Sequence, residues 1–504
     1  MITENIIGFQ LSALSDKSIY ATEAESLTNL PEAFSTASRE EVNSAIEKAH
    51  NAWRLYRNIP GEKKAVFLRL IAKGIEELDS ILVSRIMQET AYQGARVIVE
   101  RNRTCAQLRM FAEIAASGSW KELVVDPAMP DRTPSPRPEL KRKMFPIGPV
   151  VVFGASNFPL AYSTAGGDVA SALAVGCPVI VKAHDSHLGT NALVAEVIMN
   201  AAKDTGMPDG VFSSLHGDGF ETAKQLILHP HTAAIGFTGS KAGGRALFDL
   251  GQQRENPIPV FAEMGSVNPV FLLPGKVAEN PKALANQLVG SMTMSVGQFC
   301  TNPGLLVAIK DEHTDQLIIE LKTQLENVSA ATMLNEGIYN SFHQGIRKIK
   351  DVAGVHVAYE SDTLILNKTS PVLVTVEAEI FLAHHQLHQE IFGPYSVLIL
   401  CQDHDQMRKV ANVLEGQLTA SIQASDYEEE DIYALTDILL EKAGRIIYNG
   451  VPTGVEVCAA MTHGGPYPAS TDQRFTAVGH HAIWRWLRPV TFQNSPPSLW
   501  HGIG

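Results

Sequence analysis

The sequence predicts an α/β protein built around a doubly wound, mostly parallel sheet, followed by a second α/β unit. Length is the first reason: 504 residues exceed what one hydrophobic core can organise, so two or three domains are expected. The second is the pattern after Gly148, where short β-branched runs alternate with helical stretches between glycines and prolines, as βαβ units do. The third is a new set of strand-like runs after about Val260, interleaved with further helices.

Taken in order, the first strong element is a helix. Ser38-Arg39-Glu40-Glu41 has capping-box form, and Val42, Ala45, Ile46, Ala49 and Trp53 follow at helical spacing. More helices are expected to about Phe111. The segment DPAMPDRTPSPRPELKRK is rich in proline and charge and suits an extended arm or exposed edge. Then come VVVF with a helix over 160–175, VIVK with a helix over 190–203, and AAIGF with a helix over 241–252. The second unit offers strands in NPVFLL, GLLVAI, YSVLIL and ASIQ, with helices near 312–327, 404–414 and 427–440. IWRWLRPVTFQNSPP is a last strand-like stretch ending in a polar tail.

Composition excludes several functions. The longest apolar runs are far shorter than the ~20 residues a spanning helix needs, and MITENIIGFQ lacks the basic start of a secretion signal. A cytoplasmic location is expected. Cys105, Cys177, Cys300, Cys401 and Cys458 are widely spaced, with no CxxC pair and no clustered histidines, which speaks against disulfides and metal sites. A net charge of -13 gives no broad basic field for nucleic acid.

Ligands of doubly wound sheets sit at strand C-terminal ends, so the stretches there matter most. GFTGSKAGGRA puts Gly239 and Ser240 between a buried strand and a helix, where backbone N–H groups and the helix dipole favour phosphate. GDGFET at Gly217 and Gly219 lacks the third glycine of a dinucleotide fingerprint and reads as a turn. Lys182 ends its strand, within reach of a ribose or phosphate. Asn157, in SNFP, offers an amide either to a developing oxyanion or to the turn before Pro159. Glu263, in FAEMGS, follows an apolar strand and is either a partly desolvated carboxyl with a pKa raised toward that of a useful base or a solvated strand-end glutamate. Cys300, in SVGQFCTNPG, stands between a glycine-glutamine pair and a proline-glycine turn.

SNFP, strand-terminal Lys182, FTGS, AEMGS, GQFC and EIFGP occur in the order and rough spacing seen in the aldehyde dehydrogenase superfamily, and the resemblance spans nearly the whole chain. It implies a Rossmann-like cofactor domain (1–119 and 147–260), a catalytic α/β domain (261–445), a small β oligomerisation element (120–146 and 484–504) and a return segment (446–483). It makes Cys300 the nucleophile, Asn157 an oxyanion donor together with the Cys300 backbone N–H, and Glu263 the base that activates water. Lys182 would hold the adenosine ribose, Gly239 and Ser240 the pyrophosphate, and Glu390 with Phe392 the nicotinamide ribose and ring. Asp185 stands where NAD-preferring members often carry Glu. A carboxylate there accepts from a 2'-OH and repels a 2'-phosphate, so the cofactor is NAD or NADP with a lean to NAD. A depressed Cys300 pKa is expected of such a nucleophile. The arm and tail are expected to pair with another chain in a homodimer or homotetramer.

AEMGS replaces the commoner ELGG, and GASNFPLAYSTAGGDVASALAVGCPVIVKAH with HGGPYPAST is similar to the branch acting on 2,5-dioxovalerate, or 2-oxoglutarate semialdehyde. Such an aldehyde carries a carboxylate and a keto group, so its tunnel needs a cation and donors. Arg103 and Gln107 share a helix face at i and i+4; the alternative is a solvated face paired with Glu100. Phe158, Tyr162, Phe299, Thr301 and His463 are the other expected wall residues. Two further readings remain: a long-chain fatty aldehyde dehydrogenase, which wants an apolar tunnel, and a cysteine-dependent hydrolase or acyltransferase, which needs a histidine at the thiol, for which His384, His385 and His388 are available.

Overall fold

The computed structural model describes residues 1–217, 219–361 and 365–500. Asp218 of the GDGFET turn and the last four residues of the expected tail lie outside the described residues. The first sheet has seven strands in the order Val260–Glu263, Ala234–Thr238, Val150–Phe153, Val179–Lys182, Phe212–Leu215, Asn5–Ile7 and Gln10–Ser12. The first five are parallel, and Asn5–Ile7 joins antiparallel to Phe212–Leu215. All four residues of VVVF and of VIVK are buried, as strands covered on both faces must be. Val150 and Val152 pack toward helices Gly61–Glu77, Gly94–Ser117 and Gly167–Val175, while Val151 and Phe153 face helices Arg39–Tyr56, Phe220–Leu228 and Lys241–Gln252.

Helix Arg39–Tyr56 begins with the predicted box: Ser38 accepts from the Glu41 N–H at 3.2 Å, and Glu41 accepts from the Ser38 N–H at 2.8 Å. The helix expected from 160 starts only at Gly167. The Glu100 carboxylate takes the N–H groups of Leu160 (2.9 Å) and Ala161 (3.0 Å), which holds that stretch as a loop rather than a first helical turn. Val260–Glu263, read as the start of the second unit, is the outer strand of the first sheet, paired with Ala234–Thr238. The passage between sheets therefore falls after Glu263.

The second sheet also has seven strands, in the order His356–Tyr359, Val372–Glu377, Tyr395–Cys401, Leu305–Ile309, Val270–Leu272, Gln417–Gln423 and Ala443–Tyr448. Only the first runs antiparallel to its neighbour. It has its own core on each face, with Val307, Val374 and Val397 on one and Leu306, Leu373 and Leu398 on the other. The proline-rich arm turns back through a Met129–Arg137 bridge, and its strand Leu140–Pro146 pairs with both Val124–Asp126 and the C-terminal Leu487–Gln493. No helix among the described residues is long and apolar enough to cross a membrane.

Candidate active site

Parallel register brings Phe153, Lys182 and Phe237 level at the C-terminal edge of the first sheet, with the paired Thr238 and Glu263 one residue further on. A cleft of about 540 Å³ opens beside that edge, lined by Asn157, Gly239, Ser240, Glu263, Cys300, Glu390, Phe392 and His463 among others.

The nucleophile segment has an unusual backbone. Ser295, Val296 and Gly297 come one after another at φ 48°, 59° and 62°. A left-handed β-branched valine is strained, by about 1–3 kcal/mol. A Cβ at Gly297 would collide with the Gly393 backbone. Asn268 anchors the nucleophile turn itself by donating to the carbonyls of Cys300 (2.8 Å) and Asn302 (2.9 Å), and its own carbonyl accepts from Thr419 at 2.9 Å. Ser266, the serine of AEMGS, directs its hydroxyl to Gln417 (2.8 Å) and Asn268 (3.1 Å), a buried network that a glycine could not make. A Cβ at Gly265 would strike the Glu390 carboxylate, so that glycine lets Glu390 reach the cleft wall.

The Cys300 sulfur is reachable from the cleft, yet protein rather than water surrounds it. Desolvation pushes the thiol up to about 12, with the Glu390 and Glu263 carboxylates adding to the rise and Arg103 opposing it. This corrects the expected depressed pKa: the resting group is a thiol, and it needs a base. His463 stands in contact as a hydrogen-bond partner of the thiol, its Nε2 3.6 Å from Sγ. The ring is buried, and burial followed by the charges of Arg445 and Arg103 lowers it to about 3, so it is a neutral imidazole throughout the working range. Sequence placed His463 in the cavity wall, and its contact with the thiol was missed. His384 and His385 are exposed, His388 bonds to the Phe381 carbonyl at 2.9 Å, and none of the three lines the cleft.

Glu263 ends its strand with the side chain buried and Oε2 unpartnered among the described residues. Desolvation raises it to about 8, Arg485 opposing and Asp168 assisting. Asn157 donates one amide N–H to the Gln298 carbonyl at 2.9 Å, and its own backbone carbonyl is held by Tyr92 (3.1 Å) and Arg96 (2.9 Å), two residues the sequence did not single out.

Phe158 and Phe299 meet edge to face at 5.1 Å, and Tyr162 lies 5.2 Å from Phe158 and 6.0 Å from His463. Thr301 is buried, with its hydroxyl unpartnered among the described residues. Arg103 turns to the Tyr162 hydroxyl at 3.2 Å rather than to Glu100, which is buried under the Leu160–Ala161 loop. With Gln107 it lines a second cavity of about 360 Å³, walled opposite by Val455, Glu456 and Val457.

At the other end, Lys182 pairs with Asp185 at 2.7 Å and borders a largely apolar hollow of about 210 Å³ between Phe153, Phe220, Phe237 and Leu247. Ser240 caps helix Lys241–Gln252 by accepting from the Gly243 N–H at 3.2 Å. A Cβ at Gly239 would press the Phe237 ring at 2.6 Å. A flat apolar hollow, a charged pair at its rim and a helix N-terminus facing the cleft fit a dinucleotide: base, ribose and diphosphate in turn.

Residues 29–471 match the model of the Aldehyde dehydrogenase family. The chain is 45% identical to alpha-ketoglutaric semialdehyde dehydrogenase 2 of Azospirillum brasilense over 467 residues, covering 92% of this chain and 89% of the relative. It is 41% identical to alpha-ketoglutaric semialdehyde dehydrogenase of Acinetobacter baylyi over 468 residues, with the same shares. In fold it is similar to a Thermus 1-pyrroline-5-carboxylate dehydrogenase solved with bound NAD: TM-score 0.84 at 19% identity, covering 98% of this chain and 92% of that one.

Proposed function

This chain belongs to the aldehyde dehydrogenase family, enzymes that oxidise aldehydes to carboxylic acids with NAD or NADP, and from that premise we propose that it converts 2,5-dioxovalerate to 2-oxoglutarate through Cys300. The observation that carries the substrate is Arg103: a guanidinium with no carboxylate partner among the described residues, beside the buried Gln107 in a cavity separated from the thiol by Tyr162 and His463. A substrate carboxylate would complete it. The relatives named for the same semialdehyde support the reading, and a long fatty chain would leave the Arg103 guanidinium without a counter-charge.

The chain's own residues account for the covalent chemistry. Cys300 gives up its proton to solvent in the cleft as sulfur adds to the aldehyde carbon, and the oxyanion of the thiohemiacetal is held by the second Asn157 N–H and the Cys300 backbone N–H. A nicotinamide held by Glu390 and Phe392 would supply the hydride acceptor that the oxidation requires. Glu263, poised near 8, then removes a proton from the water that hydrolyses the thioester. Lys182, Asp185, Gly239 and Ser240 hold the adenosine half of the cofactor in this reading, and Glu390 and Phe392 the nicotinamide half. Asp185 favours NAD over NADP. We take the three units as cofactor, catalytic and oligomerisation domains, and the open edge at Val124–Asp126, all three residues exposed, as a surface that another copy of the chain covers.

The test is reduced-cofactor formation with 2,5-dioxovalerate, succinate semialdehyde, hexanal and a long-chain aldehyde, each with NAD and NADP. The highest kcat/KM should fall to 2,5-dioxovalerate with NAD, and Arg103→Ala should lower it about 10- to 100-fold, the worth of a hydrogen bond to a charged group. A preference for the long-chain aldehyde would overturn the substrate and leave Cys300 in place.

A further inference from the structure

Arg445 has no place in the chemistry above, yet it is the strongest influence after burial on the His463 imidazole, and its own surroundings include Cys300 and Tyr162. It sits on the outer strand of the second sheet, Ala443–Tyr448, level with Thr419, whose hydroxyl orients Asn268 beneath Cys300. Its guanidinium donates to the carbonyls of Pro452 (2.6 Å) and Gly454 (2.9 Å), and its Nε is buried without a partner among the described residues. Thr453, between those carbonyls, bonds the Ser291 hydroxyl at 2.5 Å and the Thr301 carbonyl at 3.4 Å, so the clamped loop rests on the residue after the nucleophile. The next residues, Val455 to Val457, are the wall facing Arg103 and Gln107.

Two carbonyl bonds alone do not call for a cation. A half-buried guanidinium carries a desolvation penalty that a counter-charge normally offsets, and among the described residues neither Arg445 nor Arg103 forms an ion pair with a carboxylate. Glu456 at the cavity wall is exposed and accepts from the Val457 N–H at 3.0 Å. The whole chain carries a net charge of -13, which repels an anionic aldehyde at a distance. Arg103 in the cavity wall and Arg445 behind the opposite loop are local positive charges set against that field.

We propose that Arg445 is a positioning residue that selects anionic aldehydes: it clamps the 452–457 loop as one wall of the aldehyde cavity and supplies, from behind that wall, a second positive charge that a far-end carboxylate feels. This rests on the semialdehyde reading and assigns it a second determinant.

Arg445→Gln removes the charge and keeps a donor for the loop, while Arg445→Lys keeps the charge and loses the double clamp. Each is assayed with 2,5-dioxovalerate and with hexanal, a neutral aldehyde of similar reach, at low and high salt. Arg445→Gln should raise KM for 2,5-dioxovalerate about tenfold relative to hexanal and flatten its salt dependence, with Arg445→Lys retaining most of the selectivity. Equal changes in KM for both aldehydes in Arg445→Gln, with the salt dependence intact, would show a structural clamp only and overturn the proposal. A wild-type enzyme that prefers hexanal would instead overturn the semialdehyde reading and the proposal with it, a failure visible before any variant is made.

Discussion

The two ends of the cleft are wired differently. At the cofactor end the polar groups already have partners in the protein: Lys182 with Asp185 at 2.7 Å, and the Ser240 hydroxyl with the Gly243 N–H at 3.2 Å. At the aldehyde end, Glu263 Oε2, the Thr301 hydroxyl and the Nε atoms of Arg103 and Arg445 are buried with none among the described residues. The titrating groups differ in step with this, Cys300 being pushed up to about 12, Glu263 up to about 8 and His463 down to about 3. A paired site binds by exchanging one partner for another and tolerates change. An unpaired one carries about 1–3 kcal/mol of desolvation at each orphaned group, and such tension collects where protonation states must be set for chemistry. Substitutions should therefore be graded along the cleft.

The steepest loss belongs to Cys300→Ser. A serine hydroxyl in the same desolvated position is a far poorer nucleophile, so turnover should drop by about 10⁴-fold or more. Titration with NADH should give a Kd within about threefold of wild type, because the paired end is untouched. A variant that keeps even a tenth of wild-type turnover would remove Cys300 from the mechanism and erase the contrast between the two ends.

Glu263→Gln comes next. Water activation is lost but thiol attack is not, so steady-state kcat should fall about 10²- to 10⁴-fold, while a first burst of reduced cofactor, one per active Cys300, survives. The pH dependence sharpens the assignment. Burial raises the Glu263 pKa to about 8, so the carboxylate, the basic form, accumulates as pH rises through 8. Wild-type kcat should climb across that interval and level above it, and the variant should lack the rise. A flat wild-type profile, or loss of the burst in the variant, would move the base elsewhere.

The two ends are also unequally legible in the sequence. The cofactor end can be read from local pattern: strand-terminal Lys182, the glycines around Ser240 and the Lys241–Gln252 helix all lie within consecutive βα units, and the helix bounds agree with the expected 241–252 to the residue. The aldehyde end is assembled from distant segments, and there local pattern says less. The His463 contact with Cys300 joins residues 163 positions apart and depends on how the loop before Gly464 and Gly465 folds back over Gly444 and Gln417, which no periodicity announces. Asn268, Thr419 and Arg445 are polar residues inside or beside apolar strands. Alternation marks such positions as buried but does not say what they hold. The thiol pKa escapes local pattern for the same reason, since desolvation depends on what surrounds Cys300 in space. Two boundaries slipped on tertiary grounds: Glu100 holds Leu160 and Ala161 out of the helix, and Val260 belongs to whichever sheet pairs with it.

The mildest effect is expected at Asp185, and it tests the paired end directly. Its side chain is 55% exposed and already satisfied by Lys182, so its repulsion of a 2'-phosphate is screened by solvent and by its partner. At a separation of several ångströms in that setting the penalty is about 1 kcal/mol, roughly fivefold in relative affinity. Asp185→Asn removes the repulsion, frees Lys182 to meet the phosphate, and keeps an acceptor for a 2'-OH. kcat/KM with NADP should rise about five- to tenfold and that with NAD should stay within about threefold. A loss of a hundredfold or more with NAD would mean that Asp185 bears on the bound cofactor as heavily as the unpaired groups bear on the aldehyde. The two ends would then differ in ligand alone, and pairing in the free enzyme would cease to predict how much a substitution matters.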